Sequence, residues 1–187
     1  MSCPSAADCW AVDGAPGQGT SASTPLIDHY DGSAWSVASS PSTPAGSVLS
    51  AITCVSATDC WAVGDGDDTG TGSTSAVGAG KPALIEHCDG VAWTIVDSPA
   101  DSQGQITLGA ITCVSATDCW AVGEYSEAEL TGLPVIEHYD GSVWSFGGGP
   151  GVLVEALQGV GCTGPNECVA VGSPDLSLPT PTPGTGT

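Results

Sequence analysis

The sequence predicts an all-β fold: a β-propeller-like repeat of four-stranded antiparallel blades, with about three and a half blades in the chain. The first observation is an internal repeat whose copies recur about every 50 to 60 residues. The second is that each copy divides into short apolar runs bounded by turn residues, which is typical of strands. The third is the content of 27 Gly and 14 Pro in 187 residues, which favours many turns.

The first block of the repeat predicts two strands joined by a turn. Complete copies lie at 49–64 and 108–123, and both contain the run Ala-Ile-Thr-Cys-Val-Ser-Ala-Thr-Asp-Cys-Trp-Ala-Val-Gly. A shortened copy lies at 3–13 and a divergent one at 157–172. We predict strand A from Leu49 to Cys54 and strand B from Cys60 to Val63, because each is a short, mostly apolar run beside the turn.

The second block predicts a hairpin. It occurs at 26–36, 84–94 and 135–145, and each copy contains a His followed two residues later by an Asp-Gly pair and then by a Trp. Strand C is predicted from Leu84 to Cys88 and strand D from Ala92 to about Val96. The Asp-Gly pair forms the tight turn between them, since Gly tolerates positive φ.

The recurrent tryptophans are expected to pack between blades, because a blade is covered on both faces and a residue at a fixed repeat position suits a core role. Stacking on a sugar is the alternative. They are Trp61 and Trp120 on strand B, and Trp35, Trp93 and Trp144 on strand D.

The repeat divides the chain into five segments: a first, incomplete blade at 1–48, a second at 49–107, a third at 108–152, a half blade of strands A and B at 153–173, and a Pro/Thr-rich linker at 174–187. Closed propellers have four to eight blades. Three outcomes therefore stay open: a fragment of a longer propeller, a ring made by two chains, or a small propeller closed by the N-terminal strands.

Eight of the nine cysteines form four pairs with the same spacing, which predicts a disulfide framework across the A–B hairpins. A zinc site is disfavoured, because the spacing is long for zinc and no His is adjacent. The ninth, Cys88, stands where the other repeats have Tyr30 and Tyr139, and it is either a free buried thiol or an intermolecular disulfide partner. The pairs are Cys3/Cys9, Cys54/Cys60, Cys113/Cys119 and Cys162/Cys168.

This framework predicts a secreted or cell-surface protein, since disulfides persist in oxidising compartments. No apolar stretch is long enough for a transmembrane helix, and a signal peptide is expected outside these 187 residues.

The charge balance excludes several partners. The chain has 21 acidic residues, one basic residue (Lys81) and a formal net charge of −20. Nucleic acids and anionic membranes are therefore excluded, as are sites that hold carboxylates or phosphates with Arg. Neutral or cationic ligands are favoured.

The Cys-Trp-Ala-Val-Gly strand and the run Ile-Glu-His-Tyr-Asp-Gly-Ser-Val-Trp-Ser at 136–145 resemble repeats of secreted actinobacterial proteins, which look like β-propellers of the kelch or sialidase-superfamily type. The resemblance extends to about Ser173 and carries over no catalytic residue. The run from Asp31 to Trp35 is similar to a sialidase Asp-box but lacks the residue between Asp and Gly. Because the chain also has no Arg to hold a sialic acid, we expect no sialidase activity.

Two groups of polar residues are candidate sites. The three histidines, His29, His87 and His138, are expected to be structural and to pair with the adjacent turn residues Asp31, Asp89 and Asp140. The loop residues Asp65, Asp67 and Asp68 are oxygen ligands of the type that calcium prefers, or they form a solvated loop. No other cofactor and no catalytic residue is predicted.

These observations favour a non-catalytic extracellular binding module. Its ligand is expected to be a neutral polysaccharide or a protein, bound by the variable loops at 13–24, 65–81 and 124–134 on one propeller face. One alternative is a structural subunit of an extracellular assembly, a homodimer or larger, joined through open blade edges. The second alternative is a glycoside hydrolase.

Overall fold

The fold is all-β, as predicted. The computed structural model describes residues 1–15, 24–43, 46–66, 80–99, 104–126, 132–148, 154–165 and 167–174, which contain strands and turns and no helix. Every pairing between two strands is antiparallel. The strands are β1 (Ser2–Ser5), β2 (Asp8–Ala15), β3 (Thr24–Tyr30), β4 (Trp35–Val37), β5 (Val48–Ser56), β6 (Asp59–Asp65), β7 (Leu84–Cys88), β8 (Trp93–Ile95), β9 (Gln105–Ser115), β10 (Asp118–Ser126), β11 (Leu133–Tyr139), β12 (Trp144–Phe146), β13 (Val154–Gly164) and β14 (Glu167–Pro174).

The strands follow the sequence repeat. Unit 1 (β1–β4), unit 2 (β5–β8) and unit 3 (β9–β12) each run as an antiparallel meander, and β13 and β14 form a C-terminal hairpin. Units 2 and 3 belong to one continuous eight-stranded sheet, because Asp65 of β6 pairs with Thr107 of β9. This bridge and a parallel bridge between Lys81 and Gln105 are features that the repeat pattern did not predict.

The A–B hairpins are longer and tighter than the sequence indicated. In unit 2 the strands extend to Ser56 and from Asp59, which pair with each other and leave a two-residue turn. The Ser56 hydroxyl accepts a hydrogen bond from the Thr58 backbone N–H at 3.2 Å, which supports this turn.

The predicted disulfides are present in all four hairpins, each joining Cα atoms 4.0 Å apart. Closing so short a loop stabilises the fold by about 2 kcal/mol per bond on the chain-entropy argument. In three hairpins the bonded cysteines are also direct cross-strand partners in the strand register. These three pairs are Cys54 with Cys60, Cys113 with Cys119, and Cys162 with Cys168.

The first hairpin departs from this regular arrangement. Cys3 and Cys9 are bonded as predicted, but the register of β1 and β2 shifts between Ser2 and Ser5, so this bond lies in an irregular stretch of the ladder. Cys9 is also only half-buried, whereas Cys60 and Cys119 at the same repeat position are 0% exposed. The prediction of one disulfide per hairpin is confirmed, and the burial of the strand-B cysteine differs between hairpins, since Cys168 is exposed.

The C–D hairpins turn at the Asp-Gly pair. The Asp89 side chain accepts backbone N–H bonds from Val91 at 2.9 Å and from Ala92 at 3.0 Å, and the same pattern recurs at Asp31 and Asp140. At Asp31 these bonds and the Ser33 hydroxyl lower the carboxyl pKa to about 2. Gly90 has φ of +86°, a conformation that L side chains rarely adopt.

Neighbouring units pack through aromatic side chains. The strand-B tryptophan of one unit meets the strand-D tryptophan of the next edge to face: Trp10 and Trp93 at 5.5 Å between ring centres, and Trp61 and Trp144 at 5.6 Å. Trp61, Trp93 and Trp144 are 2%, 6% and 5% exposed, which confirms the prediction of core packing for them. The prediction is wrong for Trp35, which is 49% exposed because none of the units in the described part of the chain packs on that face of unit 1.

A polar contact accompanies each aromatic one. Glu86 of unit 2 and Glu137 of unit 3 are both 0% exposed. Each carboxylate accepts hydrogen bonds from a serine that follows the last strand of the preceding unit, Ser40 for Glu86 and Ser98 for Glu137. Burial raises the pKa of both glutamates to about 7.

Candidate functional site

A cavity of about 650 Å³ lies between units 1 and 2. Its walls include Trp10 and His29 of unit 1 and Cys88 and Trp93 of unit 2, and Asp8 and Asp31 also line it. A cavity of this size lies in the range that small ligands occupy.

The cavity is larger than its counterpart between units 2 and 3, which measures about 370 Å³, and a small side chain stands at position 88 in its lining. Strand register places Cys88 in unit 2 at the position of Tyr139 in unit 3, since they pair with Cys60 and Cys119 respectively. Between units 2 and 3, the Tyr139 ring packs on Trp61 with 4.7 Å between ring centres. Between units 1 and 2, a cysteine cannot reach so far, and Trp10 stays half-buried where Trp61 is buried.

Two indole rings form the apolar walls. The ring planes of Trp10 and Trp93 lie at 70° to each other, so they present surfaces in two directions. The indole Nε1 atoms of both residues are buried and have no hydrogen-bond partner. A ligand oxygen that reached either indole would satisfy a donor that the protein leaves unpaired.

An Asp–His pair lies beside Trp10. Nε2 of His29 is 2.8 Å from the Asp8 carboxylate, and the imidazole stacks on Trp10 at 4.1 Å between ring centres. The same pair recurs as His87 with Asp59 at 3.0 Å and His138 with Asp118 at 2.9 Å.

The predicted pairing of the histidines with the turn aspartates is therefore wrong. The reason is that Asp31, Asp89 and Asp140 bind the backbone of their own turns. The histidine is held instead by the aspartate that begins strand B, which lies beside it across the sheet.

The electrostatics of the cavity suit an uncharged or cationic ligand. Its lining carries the carboxylates of Asp8 and Asp31 and contains neither Lys nor Arg. Burial raises the pKa of the Cys88 thiol, which keeps the thiol protonated at neutral pH. The arrangement offers acceptors, two unpaired indole donors and aromatic faces.

Two of the three predicted calcium ligands, Asp67 and Asp68, lie outside the described residues. The Asp65 carboxylate accepts a hydrogen bond from Nε2 of Gln105 at 2.8 Å. Within the described part of the chain, no three His, Cys, Asp or Glu side chains group as metal ligands. Most of the three variable loops also lies outside the described residues.

Cys88 is the free cysteine of the structure, and it is 4% exposed. The sequence singled it out through the missing tyrosine, but it did not indicate the cavity. Asp8, Trp10 and the cavity itself were missed, because their proximity to Cys88 depends on how two units stack. The signal in the sequence that could have indicated the cavity was Cys88, a small residue at a repeat position where the other units have tyrosine.

The comparisons with known proteins give no match. No protein-family model matches the chain, and it has no significant similarity to a characterised protein or to a solved structure. Within the described residues, no helix is long and apolar enough to cross a membrane. The four disulfides are consistent with an extracellular protein.

Proposed function

We propose that the chain is a secreted, non-catalytic binding module that takes a neutral saccharide into the cavity between units 1 and 2. The observation that carries the proposal is the Cys88 position. At the equivalent interface Tyr139 packs on Trp61, and the cavity there is smaller and lined by Trp144 but not by Trp61, whereas both Trp10 and Trp93 line the larger cavity beside Cys88. The proposed site thus lies where the repeat has cysteine in place of tyrosine and where the cavity is the larger of the two.

The chemistry of the lining supports a sugar ligand. A pyranose ring has C–H faces that pack on indole rings and hydroxyl groups that need partners. The Asp8 and Asp31 carboxylates accept from such hydroxyls, and the unpaired Nε1 of Trp10 donates to them. An anionic sugar would meet two carboxylates and a net charge of −20, so a neutral one is favoured.

A propeller arrangement of four-stranded blades is the architecture that we propose for the scaffold. Three features support it: the A–B–C–D meander in each unit, the stacking of successive units, and the contact of each first strand with the first strand of the next unit. The continuous sheet made by units 2 and 3 departs from separate blades at two residue pairs, Asp65 with Thr107 and Lys81 with Gln105.

The proposal is tested by closing the cavity. Cys88→Tyr restores the residue that the other units have, and the new ring would cover Trp10 as Tyr139 covers Trp61. We expect this variant to melt at the wild-type temperature or above, and to lose binding to neutral oligosaccharides by about tenfold or more. Binding would be measured by isothermal titration with soluble oligomers of glucan, mannan, xylan and chitin. Cys88→Ser is the matched control, since it keeps the cavity.

A second pair of variants separates binding from folding. Asp8→Asn and Asp59→Asn each weaken the same Asp–His bond in their own unit, but only Asp8 lines the cavity. We expect similar losses of stability and a loss of sugar binding for Asp8→Asn alone. Sugar binding that survives both Cys88→Tyr and Asp8→Asn would place the ligand elsewhere and overturn the proposal.

A further inference from the structure

Unit 1 presents a sheet face whose counterpart in unit 2 is buried. We define the leading face by Ala11, Leu26, Asp28, Tyr30 and Trp35. These side chains are half-buried or exposed, with Trp35 49% exposed. Their counterparts in unit 2 are at most 7% exposed, because unit 1 covers them. Those counterparts are Ala62, Leu84, Glu86, Cys88 and Trp93.

The opposite end of the chain presents the complementary side. In units 1 and 2, the residues that receive the next unit are the Trp and Val of the strand-B run, and Trp61 and Val63 are 2% and 0% exposed. In the C-terminal hairpin the same positions are held by Val169 and Val171, which are 68% and 60% exposed. We define these two valines as the trailing face.

We propose that the chain self-associates head to tail, with the leading face of one copy packed through Tyr30 and Trp35 on Val169 and Val171 of a second copy. A contact between equivalent positions exists within the chain, where Tyr139 and Trp144 of unit 3 pack on Trp61 of unit 2. The intermolecular contact continues this interface.

The trailing face carries a smaller side chain than the face that receives the same two rings within the chain. Valine replaces the larger tryptophan at position 169, and Trp35 and Tyr30 already lie side by side with 5.5 Å between ring centres. A contact of this type joins a face to a different face, so copies close into a ring where the rotation between them allows it and otherwise extend as a chain. The proposed contact joins two sheet faces, whereas the structural subunit predicted as an alternative from the sequence is joined through open blade edges.

Charge opposes this association and makes it depend on salt. Two copies that each carry a net charge of −20 repel each other at low ionic strength. Salt screens this repulsion, and it leaves the burial of apolar side chains in place. Association is therefore expected to strengthen as sodium chloride rises.

The experiment is sedimentation velocity of the oxidised protein in low and high sodium chloride across a range of protein concentrations. A Cys88→Ser background removes the free thiol, so that disulfide exchange contributes nothing. We expect dimers and larger species that grow with protein concentration and with salt. A wild-type chain that stays monomeric at the highest concentration and salt would overturn the proposal.

Two variants and their mixture test the geometry. Trp35→Asp damages the leading face and Val171→Asp damages the trailing face, and we expect each variant alone to be monomeric. Mixed together they retain one intact face of each kind, so they should form a 1:1 heterodimer and nothing larger. Val169→Asp is the second variant for the trailing face, and Trp35→Ser serves if the aspartate variant fails to fold.

Ile95→Asp is the matched control, because Ile95 is 48% exposed on strand β8 of unit 2, away from both end faces. It should associate like the wild type. Two results would contradict the head-to-tail arrangement: association unchanged by Trp35→Asp and Val171→Asp, or a mixture of these variants that forms no heterodimer. Circular dichroism melts would verify that every variant is folded.

Discussion

The buried glutamates between units predict that the protein loses stability as the pH rises from 5 to 8. Glu86 and Glu137 have pKa values of about 7 in the folded chain, against 4.5 for an ordinary Glu, because burial disfavours their charged form. The folded state therefore binds more protons than the unfolded state between these values. Their stabilising effect is complete below pH 4.5 and is lost as the pH rises through 7.

The magnitude follows from the two pKa values. A difference between 4.5 and about 7 corresponds to about 3 kcal/mol for each glutamate once the pH lies above both values. Both side chains are 0% exposed, so solvent screening does not reduce this figure greatly. The serine bonds oppose the rise, since Ser40 and Ser98 stabilise the charged carboxylates.

The assay is urea unfolding of the oxidised protein, followed by tryptophan fluorescence at pH 5, 6, 7 and 8.5. Glu86→Gln keeps the size and the hydrogen-bonding capacity of the side chain but does not titrate. We expect the variant to match the wild type near pH 5 and to exceed it by about 2 to 3 kcal/mol at pH 8.5. The double variant with Glu137→Gln should show about twice the effect, since the two sites lie at separate interfaces.

The comparison with the glutamine variants isolates these two groups. The three histidines and all other carboxylates are common to wild type and variant, so their contributions cancel in the difference. A difference in unfolding free energy that is the same at pH 5 and pH 8.5 would refute the reasoning. It would mean that Glu86 is charged, or equally solvated, in both states.

Two further predictions concern the hairpins and the packing between units. Gly90→Ala should cost about 1 to 3 kcal/mol, because φ at Gly90 is +86° and a Cβ there would lie 2.6 Å from Cβ of Thr58. Val91→Ala, at a neighbouring residue that is 91% exposed, is the control and should cost less than about 0.5 kcal/mol in the same urea assay. Trp144→Ala should cost about 3 to 5 kcal/mol, because this 5% exposed ring packs on Trp61 between units 2 and 3. Trp35→Ala should cost clearly less, and equal losses for the two tryptophans in calorimetric melting would show that packing between units does not set the stability.

The regular features of the fold could be predicted because each depends on a few neighbouring residues. Two cysteines on either side of a short turn lie close together when the segments pair, so Cys54 and Cys60 were correctly assigned, as were Cys3 and Cys9. The spacing did not reveal that Cys9 stays half-buried, because burial depends on the neighbouring strands. An Asp-Gly pair marks a tight turn through local backbone geometry, and Gly90 is in the left-handed region as that requires.

The partner of each histidine could not be predicted in the same way. His87 and Asp59 are 28 residues apart in sequence and meet because β7 lies beside β6. The turn residue Asp89 is much closer in sequence but is occupied by the backbone of its own turn. Proximity in sequence thus favoured the wrong aspartate.

The amino-acid sequence by itself determined the repeat, the strand pairing within each unit and the four disulfides, since these depend on short-range spacing and on the apolar pattern. Only the tertiary structure decided which faces the units cover. Stacking of units buries Trp93 and Trp144 but leaves Trp35 exposed, although all three occupy the same repeat position. It also makes the cavity beside Cys88 larger than its counterpart between units 2 and 3, because the space that a side chain fills belongs to the neighbouring unit.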